Sequence, residues 1–137
     1  MNNKKQDVIE FSKRLNSTNL SPLRSGNISV RTQIDGEDGF YITPSGIKYE
    51  NLKEEDIVFL SNEKEYDFLK IFNSGLNPSS EWRFHQDIYK NKREAKAIVH
   101  AHSTHATAIL SLIHISEPTR PERISYAVFC LKKKNYR

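Results

Sequence analysis

The tightest constraint on this chain is a pair of short alternating runs split by a turn. From Asn27 to Ile34, the residues Ile28, Val30, Thr32 and Ile34 fall at every second position, the period of a strand with one face turned inward. Asp35-Gly36-Glu37-Asp38-Gly39 follows as a turn cluster, and Phe40–Thr43 is a second short strand. The segment is therefore expected to be a hairpin with a longer loop. Helical spacing stands on either side. Over residues 5–16, Val8, Phe11 and Leu15 share one face. Over residues 81–91, Phe84 pairs with Ile88, and Trp82, His85 and Tyr89 follow a helical stripe. Ser79 and Ser80 precede that helix as N-cap candidates, with Glu81 in its first turn. Residues 57–60 and 96–103 read as strands, residues 68–72 lean towards strand, and residues 104–110 begin another helix.

Composition removes several alternatives. At 137 residues, with 28% charged and 36% hydrophobic side chains, the chain fits one ordinary globular domain. No apolar run has the ~18 residues of a membrane-spanning helix, and the lysine-bearing N-terminus lacks the apolar region of a signal peptide. The expectation is no membrane partner. The single cysteine, Cys130, cannot close an internal disulfide and suits the cytoplasm. The net charge of +4 is local: between Arg120 and Arg137 six basic residues face one acid, Glu122. The rest of the chain carries no basic excess, so no nucleic-acid partner is expected.

Three segments carry candidate chemistry. In His100-Ala101-His102 the two imidazoles of a strand point to one face, with Cα atoms roughly 6.6 Å apart, and can converge on one ion. The bland alternative is a pair of histidines that pack or meet solvent, but Ile98 and Val99 mark a partly buried strand, where such a pair needs a reason. The run Asn77-Pro78-Ser79-Ser80-Glu81 ends in two hydroxyls at a helix N-terminus, a natural phosphate cradle, or else a plain cap. Glu81 is either a dipole-satisfying acid or a general base held beside a metal. Ser25-Gly26-Asn27 and Thr43-Pro44-Ser45-Gly46 are turns whose glycines let backbone approach an anion; each alone is weak.

In order, the motifs SGNxSVR, ITPSGxxYExL, PSSEWRFHxxIY and AxVHAHSxHATA resemble the class II aldolase/adducin family, in particular its fuculose-phosphate aldolase branch. The resemblance runs from about Ser25 to Leu110, and the 19-residue interval from Glu81 to His100 is similar to the family's spacing of catalytic acid and first zinc ligand. It implies a three-layer α/β/α domain with a mainly antiparallel central sheet, incomplete at the C-terminus. It implies that His100 and His102 are two of three zinc-ligating histidines, that Glu81 is the catalytic acid/base and a possible further ligand, and that Gly26, Asn27, Ser45, Gly46, Ser79 and Ser80 bind the substrate phosphate. His85 belongs to the motif as a structural residue, His105 is assigned to packing, and His114 matches nothing. The activity implied is zinc-dependent cleavage of a ketose 1-phosphate, or a related sugar phosphate, to dihydroxyacetone phosphate and an aldehyde, in a homo-oligomer, usually a homotetramer. Alternatives are a 4-epimerase, dehydratase or decarboxylase of the same family, or a non-catalytic adducin-like scaffold. The presence of Glu81, His100 and His102 weighs against the scaffold.

The pattern changes after Leu110. Pro118 and Pro121 forbid a continuous helix, and no third histidine motif follows. The stretch HISEPTRPERISYAVFCLKKK reads as the conceptual translation of adapter DNA, with a divergent C-terminal extension as the alternative. The expected division is therefore residues 1–110, the N-terminal part of an aldolase domain, and residues 111–137, a tail outside the family pattern and poorly packed. The expectation is that the chain, with two of three histidine ligands, is inactive by itself. Within the tail, residues 124–131 are rich in strand-favouring side chains.

Overall fold

The computed structural model describes residues 3–18 and 26–101 and the backbone of residues 127–131. Among the described residues, five strands make one sheet in the order β3-β2-β1-β4-β5, every neighbouring pair antiparallel. They are β1 (Asn27–Ile34), β2 (Glu37–Ile42), β3 (Val58–Ser61), β4 (Ala97–Ala101) and β5 (Ala127–Leu131). Helix α1 (Lys4–Ser17) covers one face; α2 (Phe68–Asn73) and α3 (Trp82–Asn91) belong to the other. The expected three layers and antiparallel sheet are present. β5 arises in the strand-favouring part of the tail. The expected division at Leu110 and the helix over residues 104–110 lie outside the described residues.

Strand alternation sorts the core into two clusters. Ile28, Val30, Tyr41, Val99 and Ala101 face α1 and pack with its Val8, Ile9 and Leu15. Phe40, Ile42, Val58, Leu60 and Ile98 face the other way, against Trp82 and Tyr89 of α3 and Ile71 of α2. The sequence places Phe11 on the buried face of α1, but Phe11 is 47% exposed. Ser12 takes the inward position, and its hydroxyl is satisfied by donating to Val8 O at 2.6 Å.

Two further expectations are corrected. The hairpin has a two-residue turn, not a longer loop: Ile34 pairs with Glu37, and Asp35 (φ 51°) and Gly36 (φ 82°) both adopt positive φ. Asp-Gly is the dipeptide that such a turn favours, because its twist matches the strands. Residues 68–72 are helical, not extended. The Asp67 side chain caps α2 by accepting from Lys70 N at 2.7 Å, a signal stronger than the apolar run that follows. Only Ile71 of α2 is buried, while Phe68, Leu69 and Phe72 are more than two-thirds exposed.

Helix α3 is pinned to the sheet at its C-terminal end by Arg31 of β1. Its guanidinium forks onto Asp38 at 2.8 and 2.9 Å and donates to the carbonyls of Tyr89, Arg93, Lys92 and Ala95 at 3.0–3.4 Å. A cation there satisfies carbonyls that the helix leaves unpaired. The paired charges hold the Asp38 carboxyl below the usual range and the Arg31 guanidinium above its own. Fixing one end of α3 over β1 sets where the other end, with Glu81, must lie.

Candidate active site

The site is built where two loops are stitched together beside the N-terminus of α3. Ser79 N donates to Thr43 O at 2.9 Å, Ser45 N to Asn77 O at 2.9 Å, and Asn77 Nδ2 to Ser45 O at 2.8 Å, while Pro44 and Pro78 form an antiparallel bridge between them. The Thr43–Gly46 turn is thereby laid against the Asn77–Ser80 loop, though they are more than 30 residues apart in sequence. Gly46 sits at φ +77°, a conformation that L side chains rarely adopt, and space around it is open. A third segment joins through Thr43 N, which donates to Ile28 O at 3.1 Å, and through the Tyr49 hydroxyl, which donates to Gly26 O.

These contacts enclose a cavity of about 250 Å³ lined by Gly26, Asn27, Pro44, Ser45, Gly46, Ile47, Tyr49, Ser79, Ser80 and Glu81. All six residues to which the resemblance assigns phosphate binding lie on this one wall, with Glu81 beside them. Hydroxyls, backbone N–H groups and a helix N-terminus give such a pocket donors for an anion. The Tyr49 phenol is pushed up by burial and by the charge of Glu81, against a hydrogen bond from Thr43. It therefore stays a donor near neutral pH.

Glu81 occupies the N-cap position of α3, one residue earlier than its expected place in the first turn, and its side chain makes no capping bond. Its carboxylate is instead drawn inward. Oε2 meets Nδ1 of His100 on β4 and accepts from Asn27 Nδ2 at 3.0 Å. The Glu81 side chain is 39% exposed and that of His100 only 1%, so the carboxylate links the open cavity to a buried imidazole. Phe84 stacks against His100 with ring centres 5.8 Å apart.

Behind Glu81 lies a buried polar cluster. His85 Nε2 meets Asn27 Oδ1, His85 Nδ1 lies 2.6 Å from Ser29 Oγ, and Ser29 Oγ lies 2.8 Å from the Tyr89 hydroxyl. Burial, with a smaller contribution from His100, pushes the His85 imidazole down to about 3, so it is neutral near neutral pH. The structural place expected for His85 agrees with this setting. The sequence alone assigns no role at the site to Ser29, Tyr49 or Tyr89, although each stands in one of the family motifs. A signal for Ser29 is present: Asn27, Ser29 and Arg31 alternate with Ile28 and Val30, so one face of a strand is wholly polar.

Zinc takes imidazole nitrogen and carboxylate oxygen, and His100 and Glu81 bring one of each to a common point, so the residues present fit such an ion. Among the described residues no group of three or more His, Cys, Asp or Glu side chains could hold a metal. His102 lies outside the described residues, as do His105 and His114. Among the described residues no helix is long and apolar enough to cross a membrane.

The profile of the Class II Aldolase and Adducin N-terminal domain matches residues 6–134. The chain is 38% identical over 113 residues to an L-fuculose phosphate aldolase of Escherichia coli strain K12, covering 82% of this chain and 47% of that protein. It is 35% identical over 105 residues to a 5-methylthioribulose-1-phosphate/5-deoxyribulose-1-phosphate aldolase of Rhodospirillum rubrum, covering 77% and 43%. Among solved structures it is similar to an L-fuculose 1-phosphate aldolase with a TM-score of 0.64 and 34% identity, covering 82% of this chain and 50% of that one. The l-fuculose-1-phosphate aldolase from Thermus thermophilus matches with a TM-score of 0.61 at 26% identity, covering 82% and 52%. The chain thus spans about half the length of the relatives it matches. It belongs to the class II aldolase and adducin N-terminal domain family.

Proposed function

We propose that this chain carries the substrate-phosphate pocket and the acid/base of a zinc-dependent class II aldolase. The reaction is cleavage of a ketose 1-phosphate, or a related sugar phosphate, to dihydroxyacetone phosphate and an aldehyde. One observation carries the reading: a single cavity gathers Gly26, Asn27, Ser45, Gly46, Ser79 and Ser80 around Glu81, whose carboxylate reaches back to buried His100. The two relatives named above, both aldolases of phosphorylated sugars, support the same class.

Each group has a task that its position allows. The two stitched loops hold the phosphate, and that remote binding positions the reacting carbons beside Glu81. Glu81, half in the cavity, exchanges a proton with the substrate as general acid/base. His100, with His102, holds the zinc ion, which when bound supplies a Lewis acid for the negative charge that carbon–carbon cleavage leaves on the substrate oxygens. Tyr49 and Asn27 keep Gly26 and Glu81 in place around the phosphate. The setting we infer is cytoplasmic, and the assembly a homo-oligomer, to which the exposed Phe68, Leu69 and Phe72 of α2 offer an apolar surface.

The test has two parts. Inorganic phosphate titrated into the ¹⁵N-labelled chain should shift the amides of Gly26, Ser45, Gly46, Ser79 and Ser80 together. Shifts elsewhere, or none, would remove the phosphate pocket. In the chain extended to the length of its relatives, ketose 1-phosphates should release dihydroxyacetone phosphate only with zinc present. A 4-epimer, or a dehydrated or decarboxylated product, would move the reading to another reaction of the family.

A further inference from the structure

The polar groups behind Glu81 form a hydrogen-bonded chain in which every direction is forced. A carboxylate only accepts, so the Asn27 group 3.0 Å from Glu81 Oε2 must be the amide nitrogen. That fixes the Asn27 side chain, and its Oδ1 faces His85 Nε2. A carbonyl oxygen also only accepts, so Nε2 carries the imidazole proton. In a neutral ring Nδ1 is then a lone pair, and Ser29 Oγ, 2.6 Å away, must donate to it. Ser29 has one proton to give, so the contact at 2.8 Å runs from the Tyr89 hydroxyl to Ser29 Oγ. Tyr89, Ser29 and His85 are fully buried and Asn27 is 4% exposed, so bulk water does not compete for these partners.

A core filler would not need this order. On the other face of the same strands, Ile28, Val30 and Val99 fill the space with apolar side chains. The polar chain ends on Glu81, whose carboxylate lines the cavity, and each link removes a rotamer or tautomer choice from the next. We propose that Tyr89, Ser29 and His85 are positioning residues that lock the Asn27 amide and so hold the Glu81 carboxylate in register between His100 and the cavity. This rests on the reading of Glu81 as the acid/base and adds the device that aims it. None of the three touches the substrate; they act through Asn27.

Long-range ¹H–¹⁵N correlation spectra of the labelled chain near neutral pH read the direction itself. The expected result is a neutral His85 ring protonated at Nε2. A ring protonated at Nδ1, or at both nitrogens, would reverse the Ser29 bond and overturn the proposal. Two near-isosteric variants then separate positioning from packing. Ser29→Thr keeps the hydroxyl and should retain the tautomer and the Asn27 side-chain amide resonances. Ser29→Val lacks it and should shift both. In the chain extended to the length of its relatives, Ser29→Val should lower kcat about tenfold with KM unchanged, and Ser29→Thr should restore it. Equal kcat in the two variants would sink the positioning role even with the tautomer as expected. Should either variant fail to fold, Tyr89→Phe, which keeps the ring beside Phe40 at 5.1 Å, should shift the Asn27 amide in the same direction; an unmoved amide would count against the chain. Absence of cleavage in the unsubstituted protein would defeat the proposed function, whereas the tautomer and amide resonances judge the network independently of it.

Discussion

Where β1 pairs with β4, the two faces of the central sheet are made by the same strands but differ in chemistry, although both faces carry an apolar cluster elsewhere. Towards α1, β1 and β4 present Ile28, Val30, Val99 and Ala101. Towards α3 they present Asn27, Ser29, Arg31, Ile98 and His100, and Asn27 lies directly opposite His100 in the ladder. The first face is stabilised by burial, which is non-directional and tolerates repacking. The second depends on hydrogen bonds that must all be satisfied at once. What differs is how each fails. Damage to the α1 face should reduce the amount of folded protein. Damage to the polar side chains on the α3 face should leave a folded protein with a misdirected carboxylate.

The largest expected effect lies on the polar face. In the chain extended to the length of its relatives, Glu81→Gln removes the proton carrier while keeping shape, and should lower the cleavage rate roughly 10²–10⁴-fold. Zinc content measured by atomic absorption should fall far less, and the melting temperature should barely move. His100→Ala should lose both zinc and cleavage. Parent-like rates in either variant would remove the roles given to these residues. The matching change on the apolar face is Ile28→Ala, at a side chain only 2% exposed. It should cost about 2–5 kcal/mol in urea unfolding, with cleavage per folded molecule unchanged. If Ile28→Ala instead lowered kcat in a fully folded protein, the separation between the faces would not hold.

Local pattern makes much of this fold legible, and its gaps are informative. The strand period of Ile28, Val30, Thr32 and Ile34 and the helical stripe of Trp82, His85 and Tyr89 each depend on neighbours within a few residues, and both elements form where expected. Residues 68–72 defeat the same reasoning because a short apolar run does not distinguish strand from helix; the Asp67 cap decides it. The positions of Gly26, Asn27, Ser45, Gly46, Ser79, Ser80 and Glu81 are visible through motif order alone, and the structure brings them around one cavity. Ser29, Tyr49 and Tyr89 stand in the same motifs, but their roles are not visible, because each depends on partners 23 to 60 residues away. No periodicity within a segment encodes which helix will lie over which strand.

A smaller effect is expected at the cavity wall. Gly46 has open space around its Cα, so Gly46→Ala meets no clash and isolates the backbone cost of φ +77°. Holding a non-glycine residue there costs about 1–2 kcal/mol; if the alanine turn relaxes when empty and must re-form around the anion, phosphate binding should weaken by roughly 5- to 30-fold without loss of zinc. Calorimetric titration with phosphate checks this. Unchanged affinity would mean that the turn keeps one conformation with and without the anion, and the cost should then appear as lost stability in urea unfolding.

The smallest effect tests whether the buried polar face can tolerate charge. Burial lowers the His85 value from 6.5 to about 3, so between these values the unfolded chain binds a proton that the folded chain refuses. Stability then rises with pH across that window and falls as pH drops below 6.5. Over the first pH unit below 6.5 the loss from this one group should be about 1 kcal/mol. Asp38 adds a loss of the same sign only at lower pH. Its folded value lies below the usual carboxylate range, so its contribution is present above that range and disappears as pH falls through the depressed value. Urea unfolding at pH 6.5 and 5.5, compared between the parent and His85→Gln, isolates the histidine, since the other titrating groups are common to both. The parent should lose more stability than the variant across that interval. Equal losses would mean that His85 accepts a proton in the folded state as readily as in the unfolded chain, and that the cluster of Asn27, His85, Ser29 and Tyr89 is not the dry network its hydrogen bonds describe.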